Sequence, residues 1–453
     1  TNGLHPDLLA MSNVWRAPDK NALLVVSAKG APEAIASLCR LNPAAEERLE
    51  EAAKAMAARG MRVLGVASAR TMPERAQTDH REHDFELLGL IGLSDPLRSG
   101  VKDAVAQCRA AGIRVVMITG DYAATAQAIG AEAGLAQGEI LTGGVVANLS
   151  DAELSQRIKA VTICARTMPE QKLRIVSALK AAGEVVAMTG DGVNDAPALK
   201  SAHIGIAMGR RGTDVAREAA SIVLVDDDFG AIVSAIRLGR RIYDNIRKAV
   251  GFIFAVHIPI AGLALLPLLL GMPILLGPIQ IALLEMIIDP VCALVFEAER
   301  EERNLMARPP RAPNERLFSF QLVARSIVQG VIALLVLATI LIVADREMRL
   351  PAEELRTLIF FALVAAVLAM VLSHRSFSAR ISHALLRHNI AFRYVLAFIV
   401  LGSGLIMGVE PVRRWLGFAA LDWVEMGIAA GTGAALLVVF EATKALRVRR
   451  GEG

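Results

Sequence analysis

Apolar and polar residues are distributed unevenly along this chain. Short apolar runs alternate with charged stretches in the first half, whereas six long apolar runs fill the second half. Each long run approaches the roughly 20 residues that a helix needs to cross the hydrocarbon core of a bilayer. The runs occupy residues 250–270, 274–296, 322–344, 358–372, 391–407 and 424–440. The pattern therefore predicts an α/β part followed by an all-α membrane part with six transmembrane helices.

The first half alternates β-branched runs with amphipathic stretches. Strands are predicted at residues 22–28, 61–68, 85–94, 113–118, 161–165, 184–188, 204–207 and 222–225. From residue 85 onwards this alternation implies a parallel sheet with helices on both faces. We assign residues 1–84 to the end of a small α/β domain, residues 85–245 to the parallel-sheet domain and residues 246–453 to the membrane domain.

Composition supports a soluble part joined to a membrane part, because 54% of the residues are hydrophobic and 21% are charged. The net charge is only +4, and basic residues cluster in loops between apolar runs. This favours membrane topology over nucleic-acid binding, and it predicts a cytoplasmic side for those loops and for the α/β part. The four cysteines form no CxxC pair, which predicts reduced thiols and no zinc site.

The ten residues 188–197, MTGDGVNDAP, are the most informative stretch. They place the carboxylates of Asp191 and Asp195 just after a predicted strand, where open α/β sheets bind their ligands. Oxygen ligands on a tight, glycine-rich loop suit Mg²⁺. A single Asp-Gly pair would indicate an ordinary turn. The length of this run favours a functional site instead.

Three other loops offer groups that bind phosphate. Thr119, Gly120 and Asp121 follow a predicted strand and present a hydroxyl and backbone amides. Lys172 lies in the first turn of a predicted helix and can place a positive charge on a phosphate. Lys29 and Gly30 precede another helix start, which can hold an anion. By themselves these two residues indicate an ordinary turn more than a phosphate site.

Residues 189–197, TGDGVNDAP, resemble the hinge motif of the P-type ATPases, which are cation pumps with a haloacid-dehalogenase-like phosphorylation domain. Residues 29–33, KGAPE, are similar to a segment of that family's nucleotide-binding domain. The resemblance implies ATP and Mg²⁺ as cofactors and the following roles. Lys29, Gly30, Arg62, Gly120 and Asp121 would contact ATP. The hydroxyl of Thr119 and the charge of Lys172 would bind the phosphoryl group. Asp191 and Asp195 would bind Mg²⁺, and Asn194 would help to orient the metal and the phosphate.

The family's nucleophile is an aspartate in a DKTGT segment, and these residues contain no such segment. We therefore interpret the chain as the C-terminal portion of a longer pump, with part of the nucleotide-binding domain and most of the phosphorylation domain. Alone it is expected to be inactive. Heavy-metal members of the family have two spans after the soluble head, so six spans imply a pump for hard cations.

The second apolar run carries Glu285 and Asp289, which lie on one face of a helix. Pro290 removes the amide hydrogen that the carbonyl of Met286 would otherwise bind. These oxygens could bind a hard cation, or the two acids could form a structural pair with a neighbouring helix. His257 is a third ligand, a pH-sensitive group or a side chain bonded to a backbone carbonyl. The resemblance implies at most one calcium-type site.

We therefore expect ATP-driven cation transport through an aspartyl-phosphate intermediate. A hard divalent cation such as Ca²⁺ is favoured, while Mn²⁺, Mg²⁺, monovalent cations and H⁺ stay open. The expected location is the plasma (inner) membrane, and the expected partners are the cation and the lipid bilayer, without nucleic acid. The alternatives are a membrane-tethered haloacid-dehalogenase phosphatase and a non-catalytic partner subunit. The sequence does not define an oligomeric state.

Overall fold

A computed structural model describes residues 8–16, 24–73, 79–94, 96–312, 314–375 and 389–449. The chain forms two compact units. The sheet unit comprises Thr1–Ser234 with Met306–Pro310, and the helical unit comprises Ala235–Leu305 with Arg311–Gly453. The assignment of residues 1–84, 85–245 and 246–453 to three domains stays a prediction.

The sheet unit begins with a four-stranded antiparallel sheet. Its strands follow the chain order, with β1 at Ala10–Arg16, β2 at Leu24–Gly30, β3 at Arg62–Thr71 and β4 at Glu86–Leu93. Between β2 and β3 lie α1 (Pro32–Leu38) and α2 (Pro43–Ala57), each with a proline in its first turn, where the missing amide hydrogen costs nothing. Ile35 of α1 packs against Val26 and Ala28 of β2 in the buried core.

The strand predicted at residues 85–94 forms β4, which pairs with β3 in this antiparallel sheet. This strand therefore lies outside the parallel sheets, while the domain boundary at residue 85 stays a prediction. Hydrophobic periodicity shows that a strand exists but does not name its partner strand. The strand predicted at residues 22–28 is β2, although residues 22 and 23 lie outside the described residues.

The rest of the sheet unit contains parallel strands, as predicted, and the described residues arrange them in two three-stranded sheets. One has the order β5-β7-β6, with β5 at Met117–Ile118, β6 at Glu139–Thr142 and β7 at Val161–Ala165. The other has the order β10-β9-β8, with β8 at Ala187–Gly190, β9 at Ile204–Met208 and β10 at Ile222–Leu224. Both sheets contribute to one buried core, which includes Leu141, Cys164, Met188 and Ala207.

Helices connect the parallel strands. They are α3 (Val101–Ala110), α4 (Ala123–Glu132), α5 (Gly143–Asn148), α6 (Asp151–Arg157), α7 (Pro169–Ala181), α8 (Ala196–Ser201) and α9 (Asp214–Ala219). The start of α6 is a capping box in which Ser150 and Glu153 satisfy each other's backbone amides. Helix α7 buries Ile175, Val176 and Leu179 in the core that both parallel sheets share. It therefore covers both sheets.

The helical unit contains the long helices of the chain. They are α10 (Phe229–Leu269), α11 (Pro278–Pro290), α12 (Phe320–Arg346), α13 (Ala352–His374), α14 (Ile390–Gly408) and α16 (Trp423–Arg449), with the short α15 at Glu410–Trp415. A π-helix at Val291–Val295 continues α11. Among the described residues, six helices are long and apolar enough to cross a membrane, which confirms the predicted number. Helix α13 is the most buried of them.

Two buried ion pairs hold the segment that follows α11. Nε of Arg375 lies 2.9 Å from Oε2 of Glu299, and Nζ of Lys248 lies 2.9 Å from Oε1 of Glu302. All four side chains are almost fully buried. Nδ2 of Asn389 donates a further hydrogen bond of 2.9 Å to Oε2 of Glu299. Buried charges are tolerated only with such partners, so these contacts hold the segment that contains Glu299 and Glu302 in place.

A tight turn at Asp227 joins β10 to α10. Its φ of 55° lies in the left-handed region, which aspartate tolerates better than most residues. The two carboxylate oxygens accept hydrogen bonds of 3.0 Å from the backbone amides of Arg210 and Arg211. Burial opposes ionisation of this carboxyl, but those amides and the charge of Arg98 outweigh it and lower the pKa of Asp227. The ionised form is therefore the one that stabilises the turn.

We expect Asp227→Asn to lower the melting temperature of the chain at neutral pH. Because the folded-state pKa of Asp227 is lowered, its charge stabilises the fold above the unfolded pKa of about 4, and this contribution disappears as the pH falls through the folded value. The difference in melting temperature between variant and parent should therefore shrink in acid. Circular dichroism during heating measures it, and Asp226→Asn, whose side chain is 70% exposed, is the control. A pH-independent difference would contradict the role of the charge.

Candidate functional site

In the loop after β8, both carboxylate oxygens of Asp195 accept hydrogen bonds from the protein. Asp195 is 6% exposed, and its Oδ1 accepts a hydrogen bond of 2.7 Å from Nζ of Lys172. Its Oδ2 accepts the backbone amides of Gly192 at 3.2 Å and Asp191 at 3.4 Å. The structure therefore brings Lys172, at the start of α7, to the loop that follows β8.

Gly190 makes this arrangement possible. A Cβ atom at this position would lie 2.6 Å from Cβ of Asp195, closer than real side-chain contacts. Gly192 differs, since a Cβ atom there would approach Oδ2 of Asp195 only to 3.6 Å. The first glycine of the Gly190-Asp191-Gly192 turn is thus required by the close approach of Asp195.

The loop after β5 is hydrogen-bonded to the residues that follow β7. The hydroxyl of Thr119 accepts the amide of Asp121 at 3.1 Å and lies 3.2 Å from Oδ2 of Asp121. The carbonyl of Thr119 accepts both the amide and the hydroxyl of Thr167 at 3.0 Å. Thr167 immediately precedes the turn into α7, which carries Lys172. The carboxyl ends of β5, β7 and β8 therefore carry the residues predicted to bind phosphate.

The residues present fit a magnesium ion with few protein ligands. The side chains of Asp191 and Asn194 are exposed, and the carbonyl of Asp191 accepts the amide of Thr213 at 2.9 Å. Asp195 is held by Lys172, so Asp191 offers the accessible carboxylate. Within the described parts of the chain, no three acidic, histidine or cysteine side chains form a metal-binding group. Mg²⁺ commonly takes one or two carboxylates and completes its shell with water and substrate phosphate, so the loop suits it.

The residues predicted to bind nucleotide differ in their burial and in their contacts with one another. Arg62, the first residue of β3, lies with Nε 3.4 Å from Oδ1 of Asp121, so these two candidates meet. Lys29 is exposed near the end of β2. Gly30 is buried, and a Cβ atom there would lie 2.4 Å from the carbonyl oxygen of Leu9. The fold therefore requires a glycine at position 30 whether or not it also contacts ATP.

Three residues beside this edge received no role from the sequence. The hydroxyl of Tyr122 and the guanidinium of Arg166 both bind the carboxylate of Glu33, in the first turn of α1. Arg166 also lies over the ring of Tyr122, with Cζ 4.0 Å from the ring centroid. Arg166 follows β7 directly, as Thr119 follows β5. Its position directly after a predicted strand was the feature of the sequence that could have identified Arg166 as a candidate site residue.

The proposed cation ligands lie on α11 but are only partly enclosed by the described residues. Glu285 is half-buried and Asp289 is exposed. The amide of Val291 donates to the carbonyls of Ile287 and Ile288, where the α-helix changes to a π-helix. Such irregular turns are frequent at functional sites. A cavity of about 490 Å³ at this point is lined by Met286, Asp289, Pro290, Tyr394, Val395 and Phe398.

His257 lies on α10, and its Nδ1 is 2.9 Å from the carbonyl oxygen of Ile253. This confirms the interpretation of His257 as a side chain bonded to its own helix. The contact leaves Glu285 and Asp289 as the candidate cation ligands.

The fold and this edge define a haloacid-dehalogenase-like hydrolase domain joined to a membrane domain. The family of haloacid dehalogenase-like hydrolases matches residues 16–203, and the family described as the C-terminus of cation transporting ATPases matches residues 273–446. These matches confirm the resemblance to the P-type pumps. The chain is similar to the C-terminal portion of the cation-transporting P-type ATPases.

The relatives are calcium-pump-like. The chain is 43% identical over 281 residues to calcium-transporting ATPase 1 of Bacillus cereus, covering 62% of this chain and 32% of that protein. It is 38% identical over 378 residues to the calcium-transporting ATPase of Bacillus subtilis, covering 82% and 42%. It is 34% identical over 396 residues to calcium-transporting ATPase type 2C member 2 of Homo sapiens, covering 86% and 40%. The chain thus spans less than half the length of these relatives.

We expect Gly190→Ala to destabilise the sheet unit by about 1–3 kcal/mol, because the added methyl group displaces Asp195 from Lys172. The matched control is Gly192→Ala, where a methyl group makes only ordinary contact. Thermal unfolding of both variants measures the difference, at about 2–4 °C for each kcal/mol in a domain of this size. Equal melting temperatures of the two variants would show that the loop accommodates the methyl group without a loss of stability.

Proposed function

We propose that this chain takes part in ATP-driven cation transport through an aspartyl-phosphate intermediate, as the C-terminal portion of a longer pump. The observation that carries the proposal is the contact of Lys172 with Asp195, in a chain whose described residues also include six candidate membrane helices. The bond from Thr167, just before α7, to the carbonyl of Thr119 supports a position of Thr119 near the start of that helix. The similarity to calcium-transporting ATPases supports it further.

Phosphoryl transfer requires mainly positioning and the neutralisation of oxygen charge. The backbone amides and hydroxyl of the loop after β5 would hold the phosphoryl group, with Thr119 as the hydroxyl. Lys172 would place its positive charge on the same group, while Asp195 keeps Lys172 in position. Asp191, with Asn194 beside it, would bind Mg²⁺, which neutralises phosphoryl oxygens when bound. Asp195, already bonded to Lys172, would orient the loop that carries both residues.

ATP would approach from the antiparallel sheet. Lys29 and Arg62 supply positive charge there, and Arg62 already reaches the phosphate loop through Asp121. Gly120 is an exposed residue of that loop, and a glycine lets a phosphate approach the backbone closely. These placements support the assignment of ATP to the space between β2, β3 and the loop after β5.

The proposed nucleophile is an aspartate of a DKTGT segment, which is absent from these residues. Strands β5 and β8 each pair on one side only within the described residues, because β5 pairs with β7 and β8 pairs with β9. A parallel strand that ends in this aspartate would satisfy both free edges and bring the carboxylate to the phosphate loop.

The transported ion is proposed to be a hard divalent cation such as Ca²⁺. Glu285 and Asp289 supply carboxylate oxygens, and Pro290 cannot donate to the carbonyl of Met286. Such oxygens suit Ca²⁺. The six helices and the transporter relatives support an integral membrane protein. The basic loops favour a cytoplasmic sheet unit in a plasma (inner) membrane.

We expect the 453-residue chain alone to form no phosphoenzyme with radiolabelled ATP, because it lacks the DKTGT aspartate. The longer pump should form an acid-stable phosphoenzyme that hydroxylamine removes, as acyl phosphates require. A hydroxylamine-sensitive phosphoenzyme formed by the chain alone would contradict the proposed nucleophile. It would favour a membrane-tethered phosphatase that uses one of this chain's own carboxylates.

We expect Asp289→Asn in the longer pump to lower cation-stimulated ATP hydrolysis at least tenfold, because it removes a carboxylate from the proposed cation site. Stimulation would be measured against Ca²⁺, Mn²⁺, Mg²⁺, K⁺ and protons. The control is Asp345→Asn, near the end of α12 and outside the proposed site. If the parent's preferred ion stimulated ATP hydrolysis fully in the Asp289 variant, Asp289 would not be a ligand of the transported cation.

A further inference from the structure

Glu33 bridges two parts of the sheet unit. It lies in the first turn of α1, beside the antiparallel sheet, and its two carboxylate oxygens bind Tyr122 and Arg166, which follow β5 and β7 of a parallel sheet. We call the three residues Glu33, Tyr122 and Arg166 the Glu33 clasp. The hydroxyl of Tyr122 donates to Oε2 of Glu33, and Nη2 of Arg166 donates to Oε1.

The backbone of Arg166 is held in an unfavourable conformation. Its φ is 55°, in the left-handed region that long side chains rarely adopt. Its amide donates to the carbonyl of Asp121 at 3.0 Å, and its guanidinium stacks on Tyr122. Strain of this kind persists only where surrounding contacts enforce it, and it concentrates at functional sites. The guanidinium is therefore aimed at Glu33 by the fold.

The hydroxyl of Tyr122 remains a donor throughout the physiological range. Burial, with a smaller contribution from the charge of Glu50, raises the pKa of Tyr122 to about 12. The contact with Glu33 accordingly does not switch near neutral pH.

The Glu33 clasp lies beside the proposed nucleotide site. Glu33 is four residues after Lys29, and Tyr122 is adjacent to Asp121. The neighbouring contact has the same form, because Arg62 pairs with Asp121 at 3.4 Å. Each of these two arginines near the phosphate loop is thus paired with a carboxylate of the chain itself. An anionic phosphate that arrives there meets cations that are already neutralised.

We propose that Glu33 is an internal competitor for the phosphate groups of the nucleotide: its carboxylate occupies Arg166 in the nucleotide-free state and lowers the affinity for ATP. This proposal rests on the function proposed above. Removal of the carboxylate frees the guanidinium and also removes a repulsive charge, and both effects favour an anion. The increase in affinity on removal of this carboxylate must therefore grow with the number of phosphate groups on the ligand.

The test measures dissociation constants of the full 453-residue chain in detergent for ATP, ADP and adenosine by isothermal titration calorimetry. We expect Glu33→Gln to tighten ATP binding about three- to tenfold, as expected for one partly exposed charge near an anion. ADP should gain less, and adenosine should not change. The matched control is Glu46→Gln, which removes an exposed acid from the first turn of α2 as Glu33→Gln does from α1. The control should leave all three constants unchanged.

A second variant isolates the role of Arg166. In an Arg166→Gln background, Glu33→Gln should tighten ATP binding less than about twofold, because the guanidinium that it frees is missing. Equal gains in both backgrounds would contradict competition for Arg166. Weaker ATP binding by Glu33→Gln, or an equal change for ATP and adenosine, would overturn the proposal. Failure of the unmodified chain to bind ATP would instead contradict the proposed nucleotide function, and the competition with it.

Discussion

The contact between Lys172 and Asp195 is the interaction on which the candidate phosphate site depends. Lys172 follows β7 of one parallel sheet, and Asp195 follows β8 of the other, so a single ion pair of 2.7 Å connects loops from the two sheets. Both side chains are largely buried, at 21% and 9% exposed. A desolvated carboxylate needs such a partner and further donors, which the amides of Asp191 and Gly192 provide.

The helical unit shows the complementary arrangement of charge. Its fully buried charges are already paired within the protein, as Arg375 with Glu299 and Lys248 with Glu302. Asp289, in contrast, is exposed beside a cavity, on the turn where α11 becomes a π-helix. Buried pairs of this kind stabilise a fixed geometry, whereas an accessible carboxylate keeps its oxygens for a ligand. The two sets of charges therefore have different physical roles in the same unit.

The same distinction applies around the proposed nucleotide site. Lys172 and Asp195 form a mostly buried pair that supports the loop, whereas the contacts of Arg62 with Asp121 and of Arg166 with Glu33 are more exposed. Partly exposed ion pairs contribute little to stability and exchange partners at small cost. A site that must accept an anion can use such pairs without weakening the fold. Similarity to the family does not itself explain the Glu33 clasp, which follows from the packing of α1 near the ends of β5 and β7.

The sequence by itself determined the features that depend on local information. Six candidate membrane helices in the described part of the chain follow from the length and hydropathy of each run. Strand β7 agrees residue for residue with the predicted strand at 161–165. The start of α7 at Pro169 follows from the fixed φ of proline. The TGDGVNDAP segment indicated its chemistry because so many residues of one kind are consecutive.

Only the tertiary structure decided which elements meet. It assigned β4 to the antiparallel sheet, divided the parallel strands between two sheets, and paired Asp195 with Lys172. It also showed that Gly30 is required by its approach to Leu9 and that Asp289 is exposed. Strand partners, burial and close approach depend on residues far apart in the chain, and hydrophobic periodicity carries no information about them.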